Sequence, residues 1–183
     1  MYDLTPSRLL EMAIYDPSSG YVIWMERGPN TFSCAENERT RVSSRWNKLR
    51  SGKRAGHMNS NGYVVMCIEG KTIQGHRIAW ALHYGEWPSD EIDHINGNKS
   101  DNRISNLRVV SPRENSQNRK RPKTNSSGSI GVHYHKRSMS WHARIMVDGK
   151  RHHLGSFNTS GEASEAYDRA AKKFNFHENH GRS

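Results

Sequence analysis

Long apolar runs and cysteines are both scarce in this sequence. No segment approaches the roughly 20 consecutive apolar residues that a membrane-spanning helix needs, and the first residues lack the apolar core of a secretory signal. Cys34 and Cys67 are the only cysteines, and they are too far apart to form a paired zinc-ligand motif. We therefore expect a cytoplasmic protein with reduced thiols, no structural zinc and no membrane partner.

Acidic charge is also in short supply. The chain has 18 Asp and Glu against 28 Lys and Arg, and its formal net charge is +10. The excess is uneven, since residues 119–183 hold thirteen Lys and Arg against five Asp and Glu and so carry +8 of the total. Such a basic surface indicates a polyanionic partner, with an ordinary solubilising tail as the alternative. Only 33% of the residues are hydrophobic, which favours small modules joined by exposed segments.

One segment, residues 92–118, concentrates the side chains used in hydrolytic sites; it reads IDHINGNKSDNRISNLRVVSPRENSQN. Asp93 is a candidate anionic metal ligand. His94 is a candidate general base, because the ordinary pKa of histidine lies near neutrality. The run of Asn, Asp and Ser around Gly97 predicts a turn after these two residues.

A strand and a helix are predicted to follow this turn. Residues 107–110 are apolar and partly β-branched, as in a short strand. Ser111 before a proline is a typical helix start, and Glu114 completes a capping-box pattern. The segment therefore predicts strand, loop, strand and helix, with Asn115 in the first helical turn facing back toward Asp93.

The strings DHINGN, DN, SNLR and S..EN in this segment resemble the HNH endonucleases, in the phage and intron-encoded branch where Asn replaces the last His of the name. The resemblance implies a ββα-metal fold that holds one divalent cation and hydrolyses phosphodiester bonds. Residue by residue, it implies that Asp93 is the acidic metal ligand and that His94 is the general base. It implies that Asn106 is the middle Asn, which braces the loop and helps to orient the base. It also implies that Asn115 is a second metal ligand and that Asn118 is a neighbour of the metal or phosphate.

The chemistry implied by the resemblance needs these residue types. His94 would take a proton from the attacking water, and a hard cation on Asp93 and Asn115 would neutralise charge on the scissile phosphate. Oxygen ligands of this kind favour Mg²⁺ or Mn²⁺. The alternative interpretation, an Asx-rich surface turn with an incidental histidine, suits a bare Asp-His pair but not the full string.

The elements before the motif are predicted to buttress it. They are a leader helix over 5–14, a leader strand over 21–25, a hairpin over 63–74 and a second helix over 76–84. His76 and Arg77 in the second helix either contact phosphate or pack, and packing is the favoured interpretation. The span 36–54 carries seven Lys or Arg against two Glu. This span is either a solvated face or a surface that contacts phosphate, and the sequence favours neither interpretation.

The C-terminal segment has a core pattern of its own. Strands are predicted over 130–135, 141–147 and 150–157, with a tight Asp-Gly turn between the last two, followed by a helix from residue 159 or 160 to 174. Strand alternation assigns the faces. One face points apolar side chains toward the helix, namely Trp141, Ala143, Ile145 and Val147, and the opposite face is open and rich in histidine and arginine.

The strings SGSIGVHYH, WHARI, GKRHHLGSF and EASEAYDRAAKKF in this segment resemble the DNA-binding domain of plant APETALA2/ethylene-response factors. In that family the sheet lies in the major groove. The resemblance implies five DNA-facing side chains on the sheet, His133, His135, Arg144, Arg151 and His153, and two phosphate-contacting side chains in a turn, Lys136 and Arg137. Histidine stands at several positions where the plant proteins have Arg or Trp, so their target sequence does not transfer.

These patterns predict an α+β protein with two domains. An HNH endonuclease domain covers 1–118, with a leader over 1–62 and a catalytic ββα-metal core over 63–118. A basic linker over 119–128 leads to an APETALA2-like domain over 129–183, which is a small three-stranded antiparallel sheet packed on one helix.

The predicted function is that of a homing-type endonuclease of phage or prophage origin, acting in a bacterial host. It would use a divalent metal to nick double-stranded DNA or to cut both strands, and it would recognise sequence through the C-terminal sheet. The alternatives are a non-catalytic, sequence-specific DNA-binding regulator and a structural or RNA-associated protein.

Overall fold

The chain folds into two compact units, Met1–Val110 and Ser111–Ser183, which are considered separately. The computed structural model describes residues 4–117 and 127–176. All strand pairs within these residues are antiparallel, and helices and strands are mixed, so the predicted α+β class is confirmed. Most of the predicted linker, together with Asn118, lies outside the described residues.

The leader begins with a helix that is shorter than predicted. α1 (Pro6–Leu10) starts after Thr5, whose hydroxyl oxygen accepts a hydrogen bond from the first turn. The prediction of a helix to residue 14 is wrong, because β1 (Ala13–Asp16) pairs with β2 (Tyr21–Trp24) in an antiparallel hairpin. The Asp-Pro-Ser-Ser-Gly turn brings the two segments side by side, and this pairing overrides a short helical pattern.

A second sheet and two helices complete the body of the first unit. The elements are α2 (Glu36–Arg50), β3 (His57–Met58), β4 (Val64–Ile68), β5 (Lys71–Gln74) and α3 (Gly75–Tyr84), and the strands are ordered β3-β4-β5. The predicted β4–β5 hairpin and the second helix are confirmed. The core between these elements and the leader includes the fully buried side chains Leu9, Met12, Met66, Ile73 and Ile78.

The segment singled out in the sequence forms a hairpin that lies against α3. β6 (Glu91–His94) and β7 (Leu107–Val110) pair antiparallel, as predicted. Ile92 and Leu107 form a small buried cluster with Ala79 of α3. This apolar contact fixes which face of the hairpin is turned inward.

The helix predicted after β7 is confirmed and opens the second unit. α4 (Pro112–Gln117) begins with the predicted capping box. The Ser111 hydroxyl accepts the Glu114 backbone N–H at 3.3 Å, and the Glu114 carboxylate accepts the Ser111 backbone N–H at 2.8 Å. Within the same unit, Arg113 forms an ion pair with Asp148.

The remainder of the second unit is a sheet with one helix on one face. Its elements are β8 (Val132–His135), β9 (Ser140–Val147), β10 (Lys150–Phe157) and α5 (Ser160–Lys173), with strand order β10-β9-β8. Ala143 and Ile145 of β9 are buried against Ala163 and Tyr167 of α5. The predicted elements and their inward face are confirmed.

Candidate functional site

The β6–β7 hairpin presents two neighbouring motif side chains to different surroundings. Successive side chains on a strand point to opposite faces. His94 is turned inward and is only 5% exposed. Asp93 points to the other face, where it stands opposite Arg108 in the strand register. The sequence therefore places an imidazole and a carboxylate side by side, the first buried and the second accessible.

The His94 imidazole is held by a hydrogen bond and by two aromatic neighbours. Its Nε2 atom lies 3.1 Å from Oδ1 of Asn102. The His76 ring stands edge-on with its centroid 5.0 Å away, and the Tyr63 ring centroid is 6.1 Å away. Burial lowers the pKa of His94, although the Asn102 hydrogen bond and the Asp93 carboxylate act in the opposite direction. His94 is therefore neutral near pH 7, which is the form that accepts a proton.

His76 and Arg77 pack within the first unit, in agreement with the favoured interpretation. His76 is 4% exposed, and its burial lowers its pKa to about 3. Arg77 donates to the backbone oxygens of Asp90 at 3.1 Å and Pro88 at 3.4 Å. These bonds tie α3 to the segment that leads into β6.

Asp93 is paired with a guanidinium across the hairpin. Arg108 Nη2 is 2.6 Å and Nε is 3.1 Å from the same carboxylate oxygen, Oδ2. Both side chains are partly exposed, at 18% for Asp93 and 30% for Arg108. The proposed acidic ligand thus has its charge compensated by a neighbouring cation.

Asn106 braces the loop between the two strands. Its Oδ1 accepts the Asn96 backbone N–H at 2.9 Å, and its Nδ2 donates to the Asp101 backbone oxygen at 2.8 Å. Asn106 is only 6% exposed, and both hydrogen bonds are partly buried. The side chain that contacts the His94 ring, however, is Asn102 rather than Asn106.

The second predicted metal ligand, Asn115, lies in the first turns of α4, where its backbone N–H donates to the Ser111 oxygen at 3.0 Å. Because α4 belongs to the second compact unit, the pairing of Asn115 with Asp93 stays a prediction. No three His, Cys, Asp or Glu side chains converge as metal ligands within residues 4–117 and 127–176. The predicted set of one carboxylate and one amide oxygen, the ligand types that a hard cation such as Mg²⁺ prefers, stays a prediction.

Four histidines, which we call the histidine face, occupy the open side of the C-terminal sheet. The His142 ring is central, with centroids 5.6 Å from His133, 4.8 Å from His135 and 5.5 Å from His153. Arg144 is exposed and stands opposite His153 in the register. The structure therefore gathers four of the predicted DNA-facing residues around His142, which the prediction did not include.

The other predicted contacts of this sheet are exposed. Arg151 lies on β10, and Lys136 and Arg137 lie in the turn between β8 and β9. Partial desolvation, followed by nearby positive charge, lowers the pKa of both His133 and His142. At neutral pH these two histidines therefore add little positive charge to the histidine face.

A family model and several known proteins are similar to this chain. A family model for HNH endonuclease matches residues 74–117, which include β6, β7 and α4. Protein 3.8 of Escherichia phage T7 is 37% identical over 87 residues, which cover 47% of this chain and 72% of that protein. The chain belongs to the HNH endonuclease family.

One further relative of this HNH family member matches most of the chain, and another matches only part of it. An HNH endonuclease of Acanthamoeba polyphaga mimivirus is 29% identical over 155 residues, which cover 84% of this chain and 75% of the relative. An AP2-like ethylene-responsive transcription factor of Arabidopsis thaliana is 41% identical over 58 residues, or 32% of this chain and 12% of that protein. No solved structure matches the chain. Within the described part of the chain, no helix combines the length and apolar character needed to cross a bilayer.

Three side chains at these sites were missed from the sequence. Asn102 lies in the DN string quoted for the HNH resemblance, but no role was assigned to it. Arg108 is a direct cross-strand neighbour of Asp93, but this register depends on the length of the intervening loop. Strand alternation had already placed His142 on the open face with Arg144, but His142 was left out of the predicted DNA-facing residues.

Proposed function

We propose that this protein is a metal-dependent DNA endonuclease in which His94 is the general base. The observation that carries the proposal is the buried, neutral His94 imidazole beside the Asp93 carboxylate, at the end of a braced hairpin. General-base catalysis needs a nitrogen lone pair at working pH. The membership of the chain in the HNH family supports the assignment of hydrolysis to this hairpin.

In the proposed reaction, His94 accepts a proton from a water molecule while the water oxygen bonds to phosphorus. The bond from phosphorus to the leaving ester oxygen breaks, and its electron pair stays on that oxygen, which then takes a proton from solvent. Asp93 and Asn115 are the residues that would hold a divalent cation, Mg²⁺ or Mn²⁺, with Asn118 as a neighbour. When bound, such a cation supplies charge neutralisation at the phosphate and the leaving oxygen.

We further infer that the C-terminal sheet recognises double-stranded DNA in the manner of APETALA2 domains. Support comes from the open face, where the histidine face and Arg144 lie opposite the helix-covered core. The partial similarity to plant transcription factors supports the same assignment. A separate recognition surface is needed because phosphate contacts and a small metal site carry little sequence information. We therefore propose a free-standing homing nuclease, in which one domain cuts DNA and the other recognises the sequence.

Incubation with supercoiled plasmid tests the nuclease assignment. We expect conversion to open-circular or linear DNA with Mg²⁺ or Mn²⁺ and none with EDTA. His94→Ala should abolish cutting while leaving DNA binding intact, and His57→Ala, at an exposed histidine in the same unit, should cut normally. Open-circular product indicates nicking, whereas linear product indicates two sites acting together. No conversion with either metal, on DNA that carries a selected binding site, would contradict the assignment.

The second candidate function is a non-catalytic DNA-binding regulator. The similarity to plant transcription factors favours it. A matched pair of arginines tests the shared DNA-binding surface. Arg144→Ala, on the open sheet face, should weaken binding to a selected duplex by about tenfold, the cost of one good base or phosphate contact. Arg169→Ala, exposed on α5, should change it little. Equal losses would rule out recognition by the sheet, and binding without cutting would favour the regulator.

A further inference from the structure

We propose that Asn102 is a positioning residue that fixes the hydrogen of His94 on Nε2 and so leaves Nδ1 as the atom that accepts the proton. This inference deepens the proposed function, because it rests on His94 as the general base. Asn102 lies in the loop between β6 and β7 and is 3% exposed. It lies in the DN string that carries the HNH resemblance, but it is not among the residues to which that resemblance assigned a role.

The chemistry of the Asn102–His94 hydrogen bond decides the tautomer. Oδ1 of Asn102 lies 3.1 Å from Nε2 of His94, and an amide oxygen can only accept a hydrogen bond. Nε2 must therefore carry a hydrogen. A neutral imidazole has a single N–H, so the lone pair is on Nδ1. The opposite orientation of the amide would turn donors toward Nε2 and would require the opposite tautomer.

The N-terminal leader contacts the backbone of Asn102. The Tyr15 hydroxyl donates to the Asn102 backbone oxygen at 2.8 Å. Burial raises the pKa of Tyr15 to about 12, so this donor keeps its proton throughout the neutral range. The loop connecting β1 and β2 also comes close: a Cβ atom on Gly20 would lie 2.6 Å from the Asn102 carbonyl carbon. Only glycine permits this approach, and at φ +73° it is also the favoured residue.

The start of α3 closes the other side of Asn102. A Cβ atom on Gly75 would lie 2.9 Å from Nδ2 of Asn102, so the helix backbone approaches the amide directly. Gly75 thus lies against the side-chain amide, while Tyr15 and Gly20 hold the backbone of the same residue. A buried amide held in this way has little freedom to rotate. The leader hairpin and α3 thus determine the orientation of the Asn102 amide, and through it the tautomer of His94.

Nitrogen-15 NMR of the full chain tests this inference directly. Long-range proton–nitrogen spectra distinguish the two neutral tautomers of each histidine, and His94→Gln identifies the His94 signals. We expect the Nε2–H tautomer in the wild type. Asn102→Leu keeps the size of the side chain but removes the acceptor, and should give a mixture of tautomers. Asn102→Asp keeps an acceptor oxygen and should retain Nε2–H.

An Nδ1–H tautomer in the wild type would overturn the proposal, and so would an unchanged Nε2–H signal in folded Asn102→Leu. Tyr15→Phe provides a milder variant, which removes one hydroxyl and keeps the ring. It should lower the Nε2–H fraction partway, and a fully wild-type pattern would refute the part assigned to the leader. If Asn102→Leu does not fold, the wild-type spectrum and Tyr15→Phe decide.

Cleavage kinetics separate a positioning role from a general loss of structure. In Asn102→Leu we expect kcat on plasmid DNA to fall about 10- to 100-fold, while KM is unchanged. This loss is smaller than most of the roughly 100- to 10,000-fold that general acid–base catalysis contributes, because His94 itself is retained. A rise in KM with unchanged kcat would contradict a positioning role. A wild-type protein that does not cut DNA would refute the proposed function, whereas the tautomer measurement, which needs no cleavage, would still stand.

Discussion

Arg108 and Asp93 face each other across the β6–β7 hairpin, with two guanidinium nitrogens within 3.1 Å of one carboxylate oxygen. If Asp93 binds a divalent cation, the Arg108 charge must oppose that binding. Arg108→Met should therefore increase the affinity for Mn²⁺ by about fivefold, which corresponds to roughly 1 kcal/mol for a partly exposed charge pair. Isothermal titration calorimetry measures this affinity.

Arg8→Met is the matched control for this prediction, because Arg8 pairs with Glu11 and Glu69 elsewhere in the same unit. It should leave the Mn²⁺ affinity unchanged. Asp93→Asn should abolish the binding. Weaker binding in Arg108→Met would mean that the arginine supports the metal site instead of competing with it.

The Asn106 side chain should be important for stability as well as for loop geometry. Asn106→Ala removes two partly buried hydrogen bonds and leaves the Asn96 N–H and the Asp101 carbonyl without their partner. We expect the free energy of unfolding to fall by about 2–4 kcal/mol, as measured by urea denaturation. Asn61→Ala, at an exposed position, should change it by less than about 0.5 kcal/mol. Similar values for the two variants would contradict the bracing role.

Acid should destabilise the first unit through His76. The pKa of His76 is about 3 in the folded chain against 6.5 ordinarily, because burial disfavours the charged ring. As the pH falls, His76 therefore takes up its proton in the unfolded state before it does so in the folded state. The free energy of unfolding is highest above about pH 6.5 and decreases as the pH falls toward about 3. By about pH 4.5 the loss in the free energy of unfolding due to His76 amounts to roughly 2–3 kcal/mol.

Urea denaturation between neutral pH and about pH 4.5 measures the effect of His76. His76→Phe cannot titrate and should lose less stability over this range than the wild type. His57→Gln, at an exposed histidine, should follow the wild type. A His76→Phe variant with the full wild-type pH dependence would show that other groups cause the acid sensitivity.

DNA binding by the C-terminal sheet should strengthen as the pH falls. Partial desolvation lowers the pKa of His133 and of His142. Positive charge lowers both further, from Arg144 and the other histidines at His133 and from His135 and His153 at His142. They are thus mostly neutral at pH 7, and bound phosphate would favour their protonation. Between about pH 7.5 and 5.5 we expect affinity for a selected duplex to rise roughly 3- to 10-fold at constant salt.

Fluorescence anisotropy with a labelled duplex checks this pH dependence. His142→Gln removes the central ring of the histidine face and should flatten the dependence. His83→Gln, at an exposed histidine of α3, should not. An affinity that is constant with pH in the wild type would show that the histidine face does not contact phosphate.

Local sequence signals predicted most elements of the fold. The capping pair Ser111–Glu114 and the strand alternation in β9 act between residues near each other in sequence, so both can be predicted directly from it. The leader was the exception. Its apolar spacing suited a helix as well as a strand, and β1 exists because β2 lies beside it.

The HNH motif, its hairpin and the chemical types of the candidate residues follow from the sequence, because they depend on residue identity at short spacing. The contact of Asn102 with His94 follows from tertiary packing, and so does the hydrogen bond to Asn102 from Tyr15, 87 residues earlier in the chain. Tertiary packing also buries His94 and thereby keeps it neutral. These properties depend on distances between elements distant in sequence and on exclusion of water, and no local pattern encodes either of them.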